Sequence, residues 1–338
     1  MRLSSFLLLF LTFCTLHAQR VLHFTATSGY DHGTRTVSLA MFNSIAVDLG
    51  IEVVDDPSGT NFSDPVALAQ FDAIIFSNTS GNAILNADQR ANFEQWVADG
   101  GHVLGIHAAS DTYRHSTANG NNTGTWDFYP ELIGASVQEN PNHVNGTPTY
   151  TLQRVGAHPS TYNVPDQWVK AEEYYYWENG YFAELNTATL IVEETVGPNG
   201  QVNSYDAPRP MSWYRTTGYS RIFYTALGHA TENYTTDLLF RAHVRDALGW
   251  LLENSTGLRS TTTRPTLHLF PNPATNTLTL TSTSPMNGLL ELLDPTGRVV
   301  LTELVNGVTH RLDLSGFAVG SYLVRVGASV RERVMVVK

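Results

Sequence analysis

Gly100-Gly101-His102-Val103-Leu104-Gly105-Ile106-His107-Ala108-Ala109-Ser110-Asp111 is the stretch that decides how this chain is read. Its apolar run, Val103 to Ile106, is continuous, as in a parallel strand buried on both faces. The run enters a tight small-residue turn with His107 at the bend. In α/β enzymes such a strand-to-helix bend holds a nucleophile exposed above the sheet. Neither Ser nor Cys occupies the bend here, so simple acyl transfer is not the expected chemistry.

Outward from that strand, short apolar runs alternate with amphipathic stretches, the pattern of βαβ units. Strands are expected at 21–25, 51–54 and 73–76, and a helix over 34–49 stopped by Gly50. A second helix is expected over 87–99, with Asn86 as N-cap, Gln89 in capping-box position and Gly100 as the stop. Further strands fall at 149–154, 189–193 and 222–226. A closing helix over 237–252 should turn Leu238, Val244, Leu248 and Leu251 inward. Between 112 and 148 the pattern loosens into a Gly/Asn-rich loop at 120–124 and the aromatic segment Trp126-Asp127-Phe128-Tyr129, read as an ordered lid or rim. The expected fold class is α/β, a doubly wound, mainly parallel, flavodoxin-like sheet.

At 338 residues the chain is long enough for two domains. Arg2 precedes an apolar run from Leu3 to Phe13, too short to span a bilayer and suited to the core of a signal peptide, so residues 1–18 are read as one. Cys14 is the only cysteine and would leave with that segment. The mature chain then has no thiol and no disulfide, and a sizeable core must hold it together. No later segment reads as a transmembrane anchor. The formal net charge of −11 argues against nucleic acid as a partner. Lys170 is the only lysine before residue 266, which speaks against Schiff-base chemistry.

Residues 254–265 form a Ser/Thr/Arg-rich linker, so a first domain is assigned to 19–253 and a second to 266–338. The second has short alternating strands and turn signals at Pro271-Asn272-Pro273, Asn287-Gly288 and Asn306-Gly307, the pattern of a small all-β sandwich. It resembles the type A C-terminal sorting domain of type IX secretion through Phe270-Pro271-Asn272-Pro273, Leu293-Asp294-Pro295-Thr296-Gly297-Arg298, Leu312-Asp313-Leu314-Ser315, Gly320-Ser321-Tyr322 and Val336-Val337-Lys338. The resemblance implies Sec export, then passage across the outer membrane by the type IX machinery to a secreted or cell-surface location.

The first domain resembles the ThuA-like (trehalose utilisation) family, related in fold to class I glutamine amidotransferases. The resemblance rests on Phe24-Thr25-Ala26-Thr27-Ser28-Gly29-Tyr30-Asp31-His32, Gly105-Ile106-His107-Ala108-Ala109-Ser110-Asp111-Thr112, His158-Pro159, Glu172-Glu173-Tyr174-Tyr175, Pro210-Met211-Ser212-Trp213 and Tyr224-Thr225-Ala226-Leu227-Gly228-His229. Asp31 departs from the arginine that more often precedes the histidine in relatives. His107 replaces the amidotransferase cysteine, so that activity is not expected. Sugar utilisation is what the resemblance implies.

Ligands of doubly wound sheets bind beyond the carboxyl ends of the strands. His32, His107, His158 and His229 fall at such ends or in the family's motif loops, and they are expected to share one crevice. Imidazoles there can do acid/base work near neutral pH, or hold a divalent metal such as zinc through those four residues. Whether a metal is used is left open by the spacing. Asp111 could orient His107 or accept a sugar hydroxyl. Adjacent residues of a strand face opposite ways, so one of Glu172 and Glu173 should face the crevice. The family alignment selects Glu173. His107, Asp111 and Glu173 are thus the catalytic candidates, and His32, His158, Trp213, His229 and Tyr129 the substrate-binding ones, Trp213 and Tyr129 as stacking faces. His102, His115, His143, His243, His268 and His310 are read as strand-start, loop, helix-surface or tail histidines without a role. The expected function is a carbohydrate-active enzyme, hydrolase- or isomerase-like, acting on a saccharide or keto-saccharide. A non-catalytic surface module that binds glycan is the alternative.

Overall fold

The computed structural model describes residues 18–116, 124–139, 141–178, 186–192, 209–253, 267–294, 298–326 and 330–338. Apart from Ala18, the expected signal peptide lies outside them, as do the linker 254–265 and most of the loop at 120–124. The chain forms two units, Met1–Thr256 and Gly257–Lys338.

The first unit is built from β1 (Arg20–Phe24), α1 (Arg35–Leu49), β2 (Glu52–Asp56), α2 (Pro65–Leu68), β3 (Ala73–Ser77), α3 (Ala87–Ala98), β4 (His102–Ile106), α4 (Phe128–Ile133), β5 (Thr149–Arg154), β6 (Gln167–Ala171), β7 (Thr187–Val192), β8 (Arg209–Thr217), β9 (Ser220–Thr225), α5 (Thr231–Thr235) and α6 (Leu238–Leu252). Its sheet has the order β2-β1-β3-β4-β9-β8-β7-β5-β6. Pairing is parallel from β2 to β9 and antiparallel from β9 to β6.

Both faces of the parallel half are covered, which is why its strands carry no polar alternation. On β1, His23 packs on Phe42 of α1, while the next residue, Phe24, points the other way onto Phe62 and Phe76. Phe76 in turn meets Phe93 of α3. On β9 the same alternation sends Phe223 to His243 of α6 and Tyr224 to Trp213 and Trp177. Helix α3 starts at the capping box expected for Asn86 and Gln89, with both reciprocal hydrogen bonds made. Helix α6 buries Phe240, Val244, Leu248 and Leu251. Leu238 does not join them: it follows the N-cap Asp237 ahead of the buried stripe and is 75% exposed.

The antiparallel half includes two strands that periodicity did not signal. On β6 the inward residues are Trp168 and Lys170, and the lysine hides the apolar alternation. On β8 the first five residues, Arg209 to Trp213, are all buried, so they read as no period at all. The second unit consists of β10 (Leu267–Phe270), β11 (Thr277–Leu293), β12 (Val299–Asp313), β13 (Gly320–Val326) and β14 (Val330–Val336). Strand β11 pairs with β10 and β12 early and with β12 and β13 late, with a register break between Thr281 and Met286. A bridge from Ala274 to Val336 joins its two ends, giving a near-barrel around Leu278, Leu280, Leu290, Leu292, Val324 and Val334.

Because β1, β3, β4 and β9 are parallel, the loops after all four emerge on the same side of the sheet. The loop after β1 is drawn against the loop after β3 by Ser28 N–H donating to Ser80 O (2.8 Å). Gly81 makes this contact feasible: it has φ +83°, and a Cβ there would lie 2.4 Å from the backbone nitrogen of Gly29. Gly81→Ala should therefore lose about 1–3 kcal/mol through overpacking and left-handed strain, read as a lowered urea midpoint at unchanged m-value.

Candidate functional site

His107 follows the last residue of β4 and opens a short 3-10 turn, His107–Asp111. Its φ is +48°, a conformation costly for a side chain bearing a Cβ. Asn78, after β3, shares that conformation with φ +52° and bonds the neighbouring loops together. Its carbonyl accepts from Ala108 N–H, and its amide donates to Thr34 Oγ1 (2.8 Å), Gly228 O (3.0 Å) and Tyr234 Oη (3.1 Å).

His107 is fully buried, and its Nδ1 lies 2.6 Å from the carbonyl of Ala226. A carbonyl only accepts, so Nδ1 carries a proton and, in the neutral ring, Nε2 offers a lone pair. Around that Nε2 stand His32 Nε2 at 3.2 Å, Glu173 Oε2 at 3.2 Å and Tyr175 Oη at 3.0 Å. Glu173 Oε2 also lies 3.4 Å from His229 Nδ1 and 3.8 Å from His32 Nε2. One ligand atom from each of His32, His107, Glu173 and His229 falls within 4.8 Å of the others. Glu173 Oε1 faces His143 Nε2 at 3.2 Å.

Glu173 and its neighbour Glu172 arrive on the segment after β6, which is tied across the mouth by bridges from Tyr175 to His143 and from Trp177 to Val137. The two carboxylates diverge as adjacent extended residues must. Glu172 is buried and accepts from Gly228 N–H (3.0 Å), His229 N–H (3.1 Å) and Asn233 Nδ2 (3.3 Å), beside Lys170 Nζ at 3.7 Å. It thereby holds the loop that presents His229 to Glu173.

These surroundings set the protonation states. Burial would raise the Glu173 carboxyl, but its close contacts with the imidazoles of His107, His229 and His32 hold it well below the usual range. His229 is raised, chiefly by its hydrogen bond with Glu173. His32 is lowered, chiefly by burial. Burial raises Asp111, whose side chain pairs with Arg114 at 2.9 Å. The Tyr175 phenol, stacked on His107 with ring centroids 4.7 Å apart, is pushed well above its ordinary value by burial and stays protonated.

The structure brings together His32, His107, Glu173 and His229 and leaves three other candidates elsewhere. His158 is not at the centre. It is stacked on Tyr214 and Phe223 on the α6 side of the sheet, with its Nδ1 on Ser160. Trp213 is a buried core residue that donates to Ile133 O (2.8 Å), so no face is free for a sugar. Tyr129 is equally buried, against Phe76 and Trp126. Two further residues are present: His143, read from the sequence as a loop histidine without a role but facing Glu173, and Tyr175, hidden in the aromatic run after Glu173. Tyr30 adds a 68% exposed ring edge-on to His32, ring centroids 4.8 Å apart. His243, read as a helix-surface residue, is buried between Ser212 Oγ (3.0 Å) and Ser160 O (2.8 Å).

The fold and site define an α/β domain with a histidine–carboxylate centre at its strand ends, followed by a β-domain. Residues 20–251 match the family described as trehalose utilisation (ThuA), and the chain belongs to that family. Residues 268–337 match the secretion system C-terminal sorting domain, which directs the chain through type IX secretion to the cell surface or medium. No described helix is long and apolar enough to cross a membrane. Nothing among curated proteins matches. A ThuA-like protein from Bacteroides uniformis is similar in structure, with TM-score 0.54 and 21% identity over 71% of this chain and 94% of that one. Another, from Parabacteroides merdae, has TM-score 0.53 and 15% identity over 70% and 91%. At these identities the likeness establishes the fold.

Burial lowers both His158 and His243 to about 4, against about 6.5 in an unfolded chain. Between those values the unfolded state binds protons that the native state does not. The stability present above about pH 6.5 should therefore fall as pH drops toward 4, by up to about 1.4 kcal/mol per pH unit for each group. His158→Gln should flatten this loss, checked by comparing urea midpoints of variant and parent at pH 7.5 and 5.

Proposed function

We propose that this protein is an exported enzyme of carbohydrate utilisation that acts on a saccharide or keto-saccharide at the centre formed by His32, His107, Glu173 and His229. The observation that carries the reading is the convergence of three imidazoles on one partly buried carboxylate at the strand ends. Structural histidines are normally satisfied singly by the backbone or a hydroxyl, as His243 is. Four ionisable groups gathered in this way favour a functional site.

The neighbouring groups suit hydrolysis or isomerisation of a sugar. Asp111 has a carboxyl raised by burial, which brings it nearer the range where it can give and take a proton. Tyr175 remains a donor beside His107. Tyr30 is the exposed ring on which a sugar face can stack. The binding-module alternative is weakened because its stacking platform, Trp213 and Tyr129, is buried in the core. Export would begin with a signal peptide at 1–18 and the Sec pathway, before the 266–338 domain engages the type IX machinery.

Turnover of native and keto-disaccharides by the purified protein tests the reading. Parent enzyme should show turnover, with kcat/KM reduced about 100-fold or more in His107→Ala and Asp111→Asn. Retained glycan affinity without turnover would favour the binding module, and equal rates in all three proteins would remove the centre from the reaction.

A further inference from the structure

We propose that His32 Nε2, His107 Nε2, His229 Nδ1 and Glu173 Oε2 are the ligands of a single divalent first-row transition cation of the zinc class. The first argument is metric. Ligand bonds of about 2.0–2.1 Å in a tetrahedron place neighbouring donor atoms about 3.3 Å apart. Four of the contacts here are 3.2, 3.2, 3.4 and 3.8 Å. Those four edges lie near that spacing, and the other two, from His229 to His32 and to His107, are within 4.8 Å.

The second argument is hydrogen-bond accounting. With its proton committed to Ala226 O, the neutral His107 ring has one lone pair at Nε2. His32 Nε2, Tyr175 Oη and Glu173 Oε2 all crowd that one nitrogen, at 3.2, 3.0 and 3.2 Å. His229 Nδ1 has Glu173 Oε2 as its neighbour at 3.4 Å, and His32 Nδ1 is buried without a hydrogen-bond partner. One cation satisfies the four converging donor atoms together, since each contributes a lone pair.

The third argument is the shell behind the ligands. A metal-bound imidazole usually donates its other N–H to a carbonyl or carboxylate, and a ligating carboxylate is itself held. His107 does the first through Ala226. Glu173 does the second, its other oxygen facing His143. Three nitrogens and one oxygen favour zinc, nickel, cobalt or copper over magnesium or calcium, which prefer oxygen throughout. The metal assignment differs from the sequence expectation at one place: Glu173 stands where His158 was expected.

The test uses the full chain, stripped with chelator and then titrated with Zn²⁺ by calorimetry and with Co²⁺ by visible absorption, with metal content read by mass spectrometry. One equivalent should bind, and the Co²⁺ form should give the intense d–d bands of a low-coordinate nitrogen-rich site. His107→Ala and Glu173→Gln should each weaken binding about 100-fold or more. His310→Gln, in the sorting domain, should retain the full equivalent. Circular dichroism of each stripped variant separates loss of the site from loss of the fold, and His229→Ala, at the partly exposed edge, serves if His107→Ala does not fold. Less than half an equivalent in the stripped and reloaded parent, or unchanged binding in two folded ligand variants, overturns the site. The binding readout needs no sugar: one bound equivalent without turnover keeps the metal and rejects the enzyme, and turnover by protein that binds less than half an equivalent keeps the enzyme and rejects the metal.

Discussion

A carboxylate taken out of water must be met by charge or by several donors, and Glu172 and Glu173 place two of them side by side in the wall of this domain. Their divergence organises the region around them. Glu172 gathers the backbone N–H groups of Gly228 and His229 and so fixes the loop after β9. Glu173 gathers the side chains of His32, His107, His143 and His229, which come from four different segments. Removing either carboxylate would leave polar groups without partners on several loops at once, a larger loss than any surface ion pair represents.

The parallel half of the sheet supplies the other constraint. It delivers the loops after β1, β3, β4 and β9 to one edge, and the strained residues Asn78 and His107 sit at that edge. Asn78 spans the gap between them by bonding to Thr34, Ala108 and Gly228. Backbone strain persists where surrounding bonds over-determine it. Here the same bonds set the direction of the His107 ring, with Ala226 behind and Tyr175 stacked alongside.

Much of this was legible in the sequence because the residues concerned act locally. The strand 103–106 announces itself by continuous apolarity, the start of α3 by Asn86 and Gln89, and the bend by the small residues after His107. The choice between Glu172 and Glu173 followed from strand alternation and the family motif. What stayed hidden depends on contacts distant in sequence. His158 looks no different from His107 in a string of letters, yet one faces the strand ends and the other is packed on Tyr214 and Phe223. Trp213 and Tyr129 read equally well as stacking faces and as core, and only burial decides. His143 acquires its place because the segment from 137 to 144 pairs with 174–177, a long-range register that no local pattern encodes.

The exposure of the cluster's members indicates from which side a ligand enters. His107 is sealed beneath Tyr175, and the aromatic wall continues through Trp177, Tyr224 and Trp213 into the core. Such packing gives a site its precision, since each ring has one position. His143 and His229 keep roughly a quarter of their side-chain surface in solvent, and Tyr30 is open beyond them. The centre is therefore rigid on its sheet side and accessible on its loop side. Inward from Tyr30 and the outer histidines the groups become steadily less exposed, with His107 innermost and Glu173 between.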